Sequence, residues 1–193
     1  MTRSDDLFSL PPGLPVPADD GAYAHLRGMK LPPLELRSTR DRLVDLSALA
    51  GRTVVYAYPR TGLPDRDPPP GWDQIPGARG CTPQSCAFRD HHAELAGLGA
   101  RVFGLSTNHT AYQREAAERL ELPFELLSDE DLALTRALGL PTFEIAGLTL
   151  LKRFTWIVRD GAIEHVFYPV FPPDRNAEQV IAWLGERAKS TGR

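Results

Sequence analysis

Hydrophobic residues in this chain recur with two different periods, and the change of period divides it into elements. Residues 53–58, Thr-Val-Val-Tyr-Ala-Tyr, are β-branched, aromatic and nearly free of polar groups. Such a run predicts a central parallel strand covered on both faces, and Pro59 ends it. From Cys81 to Leu98 the spacing becomes helical. Phe88, His92 and Leu95 share one face, and a step of about 100° per residue puts Cys81 there too. Pro83 is tolerated in the first turn. Residues 102–105 predict a strand, and 112–120 a helix capped by Asn108 or Thr110. Residues 124–127 predict a short strand, and 129–138 a helix with acids in its first turn and Gly139 as its stop. Residues 154–158 and 163–168 flank Arg159-Asp160-Gly161-Ala162, the signal of a tight antiparallel hairpin. A final amphipathic helix carries Ala177, Val180, Ile181 and Leu184 as its apolar stripe.

Strands alternating with helices and closing on a hairpin predict an α/β, thioredoxin-like fold. Its central sheet is mainly parallel with an antiparallel edge hairpin, and helices cover both faces. A short edge hairpin is predicted at residues 34–36 and 43–46. Proline clusters alter the picture at two places. Residues 1–30 read as an irregular Pro-rich arm. Within the single domain at 31–189, residues 59–80 read as a long inserted loop with Pro68-Pro69-Pro70-Gly71-Trp72 at its middle.

Charge and composition exclude several classes. With 22 Lys plus Arg against 25 Asp plus Glu, the net charge of -3 gives no attraction to nucleic acid. No apolar run approaches the roughly 20 residues that cross a bilayer, and the first six residues lack the pattern of a secretory signal. The expectation is a soluble cytoplasmic protein with no membrane partner. Adjacent His91 and His92 point about 100° apart on a helix, so no metal or other cofactor is predicted. His25, His109 and His165 read as ordinary surface or edge residues.

The two cysteines, five positions apart, suggest redox chemistry. A thiolate is the nucleophile, and an unperturbed thiol with a pKa of about 8.5 is only a few per cent ionised at neutral pH. Lowering that value by two units takes about 2.7 kcal/mol, more than the roughly 0.3–2 kcal/mol of a helix end. Cys81 at a helix start therefore needs a cation as well. Arg153, at the start of a core strand where its charge demands a partner, is the candidate; the alternative pairs it with Glu144 or Glu164. Cys86 lies about 140° around an intact helix and roughly 8.6 Å away between Cα atoms, whereas a disulfide needs less than about 7 Å. If the two join, the first turns must unwind. The bland alternative is a pair of unrelated buried cysteines acting as small hydrophobes.

The segment Gly80-Cys81-Thr82-Pro83-Gln84-Ser85-Cys86-Ala87-Phe88-Arg89-Asp90 resembles the reactive segment of the Q-type peroxiredoxins, the bacterioferritin comigratory protein group of the alkyl hydroperoxide reductase/thiol-specific antioxidant family. Further matches are Tyr58-Pro59, residues 122–129, and Lys152-Arg153-Phe154-Thr155-Trp156 followed by Asp160-Gly161; together they span residues 31–187. The resemblance implies a thioredoxin-dependent peroxidase that reduces hydrogen peroxide or organic hydroperoxides. Cys81 would be peroxidatic and Cys86 resolving, joined to it by an intrachain disulfide. Arg153 would be the family's arginine, and Pro59 and Thr82 would bind substrate. The implied partners are the peroxide and a thioredoxin-like reductant, in a monomer or homodimer.

Two departures stand out. The family places a proline seven and a threonine three positions before the reactive cysteine, where this chain has Gln74 and Ala78. Pro59 is displaced by the insertion, and either Thr61 or Thr82 is left to supply the hydroxyl. The inserted loop with Trp72 either covers the pocket and favours bulkier hydroperoxides or a particular reductant, or is a tolerated surface insertion. Two other functions remain open. Gly139-Leu140-Pro141-Thr142 resembles the proline segment of thiol-disulfide exchangers, and a redox sensor could signal through the opened helix. Pro141 beside Cys81 would favour exchange; Arg153 there would favour peroxidase chemistry.

Overall fold

A computed structural model describes residues 6–191. Nine strands are present among them: β1 (Glu35–Ser38), β2 (Leu43–Asp45), β3 (Arg52–Ala57), β4 (Ala100–Ser106), β5 (Glu125–Ser128), β6 (Thr142–Ile145), β7 (Leu148–Leu151), β8 (Phe154–Arg159) and β9 (Ala162–Phe167). The α-helices are α1 (Cys81–Asp90), α2 (His92–Gly97), α3 (Thr110–Arg119), α4 (Ala133–Leu138) and α5 (Asn176–Thr191). Seven strands form one sheet in the order β2-β1-β5-β4-β3-β8-β9, and β6 and β7 form a separate hairpin. The parallel part is its centre, where β3 pairs with β4 and β4 with β5. Antiparallel pairs flank it, β1–β2 and β1–β5 on one side and β3–β8 and β8–β9 on the other.

The alternation of strand side chains divides the interior into two cores. From β3 onward, Val54, Tyr56 and Tyr58 face α1, α2 and α5 and meet Phe88, Leu95, Val180 and Leu184. Val55 and Ala57 face the other way, against Leu134 and Leu138 of α4 and Tyr23 and Leu26 of the N-terminal segment. Helices thus cover both faces, as the architecture requires. Phe88 lies flat on Tyr56, ring centroids 4.5 Å apart and planes 8° apart. Removing a ring buried this fully costs about 3–5 kcal/mol, so Phe88 anchors the second half of α1 to the sheet.

Several local expectations need correction. The helix from Cys81 to Leu98 is broken at His91, whose backbone (φ -97°, ψ 8°) leaves the helical region; α2 starts afresh at His92 and buries Leu95. Neither Asn108 nor Thr110 caps α3. His109 is at that position and makes no capping bond, its ring pairing instead with Glu130 at 2.7 Å, while Asn108 is committed elsewhere. The helix expected over 129–138 starts only at Ala133, so no acid falls in its first turn; Asp129 instead precedes it and accepts from the Leu134 and Thr135 N–H groups at 2.9 and 2.8 Å. The β6–β7 hairpin occupies part of the stretch read as a thioredoxin-like proline segment. The loop between β3 and α1 is not wholly irregular, since Trp72–Gln74 form a 3-10 turn and Trp72 is buried against Phe143 of that hairpin. The 159–162 turn is as predicted, with Asp160 and Gly161 at φ 48° and 76°. A Cβ on Gly161 would stand 2.4 Å from the Ser47 carbonyl oxygen, so glycine is required there.

The second half of the arm is bound into the fold. Gly28 and Leu31 donate backbone bonds to Ile163 and Gly161 at 2.8 Å each, and Asp20 bonds Lys152 and Tyr168 at 2.8 Å each. The Lys152 ammonium draws the exposed Asp20 carboxyl down to about 2. Among the described residues no helix is long and apolar enough to cross a membrane.

Candidate active site

The C-terminal end of β3 delivers the chain to Pro59, and the loop returns it at Gly80, where α1 begins. Gly80 holds φ 101°, and a Cβ on it would press to 2.3 Å of Pro173 and 2.8 Å of Leu10. Only glycine lets the chain turn this tightly into the helix. Cys81 follows as the first residue of α1, on a cavity of about 330 Å³ and only 3% exposed.

Two N–H donors from different parts of the fold meet its sulfur. Arg153 Nη2 lies 3.1 Å from Cys81 Sγ, and the Arg60 backbone N–H donates to it at 3.4 Å. As a thiol, the sulfur faces the Ala78 carbonyl at 3.6 Å. Arg153 is buried and held from several sides. It donates to the carbonyls of Gly77 at 3.1 Å, Ala78 at 3.1 Å and Arg79 at 3.2 Å, and to Gln84 Oε1. Of these partners only the sulfur can carry a full negative charge. The pairing with Glu144 or Glu164 does not form: Glu164 binds Arg52 at 2.9 Å, and Glu144 accepts from Thr149.

Behind Arg153 runs a buried polar chain. Gln84 Nε2 donates to Asn176 Oδ1 at 3.0 Å, and Thr155 Oγ1 donates to the same oxygen at 2.6 Å. Every member is bonded, which makes the guanidinium rigid. Sequence reasoning did not single out Gln84. Its signal was available, since a residue three positions after Cys81 shares its helix face.

Thr82 and Thr61 both line the cavity, both are buried, and neither Oγ1 has a hydrogen-bond partner among the described residues. A buried hydroxyl without a partner is a place for a ligand's polar atom. Pro59 is not on the cavity wall. It is buried behind it, its carbonyl accepting from Asn108 Nδ2 at 2.9 Å, and Arg60 and Thr61 take the place expected for it. Asn108 Oδ1 also receives Arg60 Nη1 at 2.9 Å, and Tyr112 donates to the Thr61 carbonyl at 2.5 Å. These bonds clamp the loop over the sulfur.

Cys86 lies in the next turn of the same helix, half-buried, and both cysteines are free. Burial pushes its thiol above the usual value, with Arg89 opposing that shift. Pro141 is elsewhere: its carbonyl takes the Lys152 N–H at 3.0 Å, and it does not line the cavity. His91 pairs with Glu94 at 3.2 Å, while the His92 ring packs on Phe124. His165, read as a plain edge residue, is half-buried and stacks on Trp183 with centroids 5.0 Å apart.

Comparison with known proteins gives this geometry a context. The family described as Redoxin matches residues 26–181. Peroxiredoxin Q, chloroplastic, of Oryza sativa subsp. japonica is 32% identical over 160 residues, which cover 82% of this chain and 66% of that protein. The chain thus spans about two thirds of the length of the rice relative. Peroxiredoxin Q, chloroplastic, of Gentiana triflora is 30% identical over 185 residues, covering 92% of this chain and 77% of its own length. Among solved structures, peroxidoxin BcpB from Mycobacterium tuberculosis superposes with a TM-score of 0.66 at 26% identity, over 83% of this chain and 96% of that one. Peroxiredoxin Q of Xanthomonas campestris shares the fold, with a TM-score of 0.63 at 23% identity over 91% and 98% of the two chains. A reactive-cysteine segment, an arginine on the sulfur and these matches lead to one conclusion: the chain belongs to the redoxin family, among the Q-type peroxiredoxins.

Proposed function

We propose that the protein is a thiol-dependent peroxidase in which Cys81 attacks a hydroperoxide and Cys86 resolves the product. One observation carries this reading: Cys81 Sγ is held between Arg153 Nη2 at 3.1 Å and the Arg60 N–H at 3.4 Å, on an open cavity. Donors on two sides suit a sulfur that is negative when it attacks. They equally suit a peroxide oxygen that gains charge as the O–O bond breaks. The hydroxyl of Thr82 or Thr61 completes the cradle by bonding the peroxide.

The sulfur's electron pair goes to the outer oxygen, the S–O bond forms, and the O–O bond breaks. Sulfur is oxidised by two electrons to a sulfenic acid, and the peroxide leaves as an alcohol or water. Cys86, one turn on, is out of disulfide reach while α1 is intact. Local unwinding brings its thiol to the sulfenic sulfur, closing the disulfide and releasing water. Both sulfurs belong to one helix, so the cycle needs no second copy of the chain. A thioredoxin-like dithiol then reduces the disulfide, and two free cysteines suit a reducing compartment such as the cytoplasm.

The thiol-disulfide exchange reading loses its support with Pro141 away from Cys81. The test is peroxide consumption coupled to thioredoxin, thioredoxin reductase and NADPH, with mass spectrometry of the oxidised chain. Sustained turnover with a Cys81–Cys86 disulfide supports the reading, whereas oxidation without turnover points to a sensor.

A further inference from the structure

The cavity over Cys81 is walled largely by segments outside the main sheet and its helices. Leu7 comes from the arm, Leu63, Pro69 and Trp72 from the loop between β3 and α1, and Leu148 from the β6–β7 hairpin. Hydrogen peroxide uses little of such a site; two oxygens occupy a small part of about 330 Å³, a volume in the lower range of ligand pockets. Apolar walls of this extent match a substrate with an apolar body.

The charge lining the cavity is one-sided. Arg60, Arg66 and Arg79 face it, and Asp67 is its sole acid among the described lining residues. Arg79 is bonded to Asp73 at 3.1 Å. Arg60 differs. Its guanidinium is half-buried, donates to Asn108 Oδ1 at 2.9 Å and lies 3.9 Å over the Tyr112 ring, both neutral groups. No carboxylate pairs with it among the described residues. A partly desolvated guanidinium facing neutral groups gains when an anion arrives. Arg66, exposed at the rim, adds to that attraction.

We infer that the preferred substrate is an organic hydroperoxide with an apolar body and an anionic end, such as a carboxylate. The body lies against Leu63, Trp72 and Leu148, the anion against Arg60, and the hydroperoxide group at Cys81. This rests on the peroxidase reading above. The chemical step is unchanged: the thiolate takes the outer oxygen to become a sulfenate. The hydroperoxide's own proton ends on the departing alkoxide, which leaves as an alcohol, and the carboxylate is untouched.

The test compares cumene hydroperoxide with its para-carboxylate, which share a body and differ by one charge, using hydrogen peroxide as reference. Oxidation of Cys81 is followed in single turnover by stopped-flow tryptophan fluorescence. The carboxylate is expected to react about tenfold faster than the neutral compound at low salt, with the gap narrowing as salt is added. The double variant Arg60→Gln, Arg66→Gln should reduce that preference to about twofold or less, whereas Arg101→Gln, exposed at the far end of β4, should retain it. Leu63→Ser should lower the rates of both cumene compounds relative to hydrogen peroxide by about fivefold. Equal rates for the two cumene compounds in the unaltered protein, or a preference that survives the double variant, would overturn the inference. Oxidation by hydrogen peroxide alone would overturn it and leave the peroxidase reading standing. Failure of all three oxidants would remove both.

Discussion

The first and second turns of α1 each carry one cysteine, and their surroundings are opposite. Cys81 is buried, yet two N–H donors reach its sulfur and a cavity opens beside it. Cys86 is less buried, yet burial dominates its environment and raises its thiol pKa. Exposure alone would favour Cys86 as the nucleophile, whereas the proposed assignment to Cys81 follows from the donors around its sulfur. What separates the two is the polarity delivered to each sulfur by residues distant in the chain. Arg153 is 72 positions from Cys81 and Arg60 is 21.

This contrast can be broken by experiment, beginning with its largest consequence. Cys81→Ser should abolish peroxide consumption in the thioredoxin-coupled assay, with Cys86 unable to substitute. Measurable turnover by that variant would end the division of roles. Cys86→Ser should instead accumulate sulfenic or over-oxidised Cys81 by mass spectrometry; a variant that cycles normally shows that another thiol resolves.

Next is the donor side. Arg153→Met should slow Cys81 oxidation by about 10²–10³-fold, the loss typical of one donor to a developing negative charge. Arg153→Lys should recover only part of it, because an ammonium cannot hold Gln84, three carbonyls and the sulfur at once. Thermal unfolding of the same variants separates lost chemistry from lost packing.

The pH dependence sharpens the comparison from the Cys86 side. A thiol whose pKa is raised by burial stays protonated at neutral pH, and only its thiolate attacks the sulfenic sulfur. Disulfide closure should therefore accelerate about tenfold per pH unit up to that raised value, and slow as pH falls. A closure rate flat between pH 6 and 8 would show that unwinding of α1, not the thiol, limits the step. The smallest effect concerns the two unpartnered hydroxyls. Removing the one that bonds peroxide, by Thr61→Val or Thr82→Val, should slow Cys81 oxidation about tenfold, whereas reaction with iodoacetamide reports on the sulfur alone. Equal, negligible effects of both would leave the peroxide held by Arg153 and the Arg60 N–H.

Much of this site could be read along the chain. A cysteine at a helix start is a local pattern, and an arginine entering a core strand announces a missing partner. The Arg153–Cys81 contact followed from those two facts. Other parts were not legible. The Arg60 contribution is a backbone N–H, which leaves no trace in residue type. Asn108 suited a helix cap, and its use as a clamp on Pro59 and Arg60 depends on a loop passing beside it. The β6–β7 hairpin carries a local signal in Ala146-Gly147 between alternating apolar residues, beside a proline segment that resembles that of the thiol-disulfide exchangers.

Helix geometry acts over a few residues, so the spacing of the two sulfurs and the need to unwind α1 before they join were written in the chain order, whereas the close approach of the Ser47 carbonyl that requires Gly161 was not. Polarity at a buried point is different. Which cation reaches the sulfur, which hydroxyls are left without partners, and how the arm and the inserted loop wall a cavity with excess positive charge depend on contacts between segments far apart. Those contacts exist only once the sheet has formed and the loops have packed across its end.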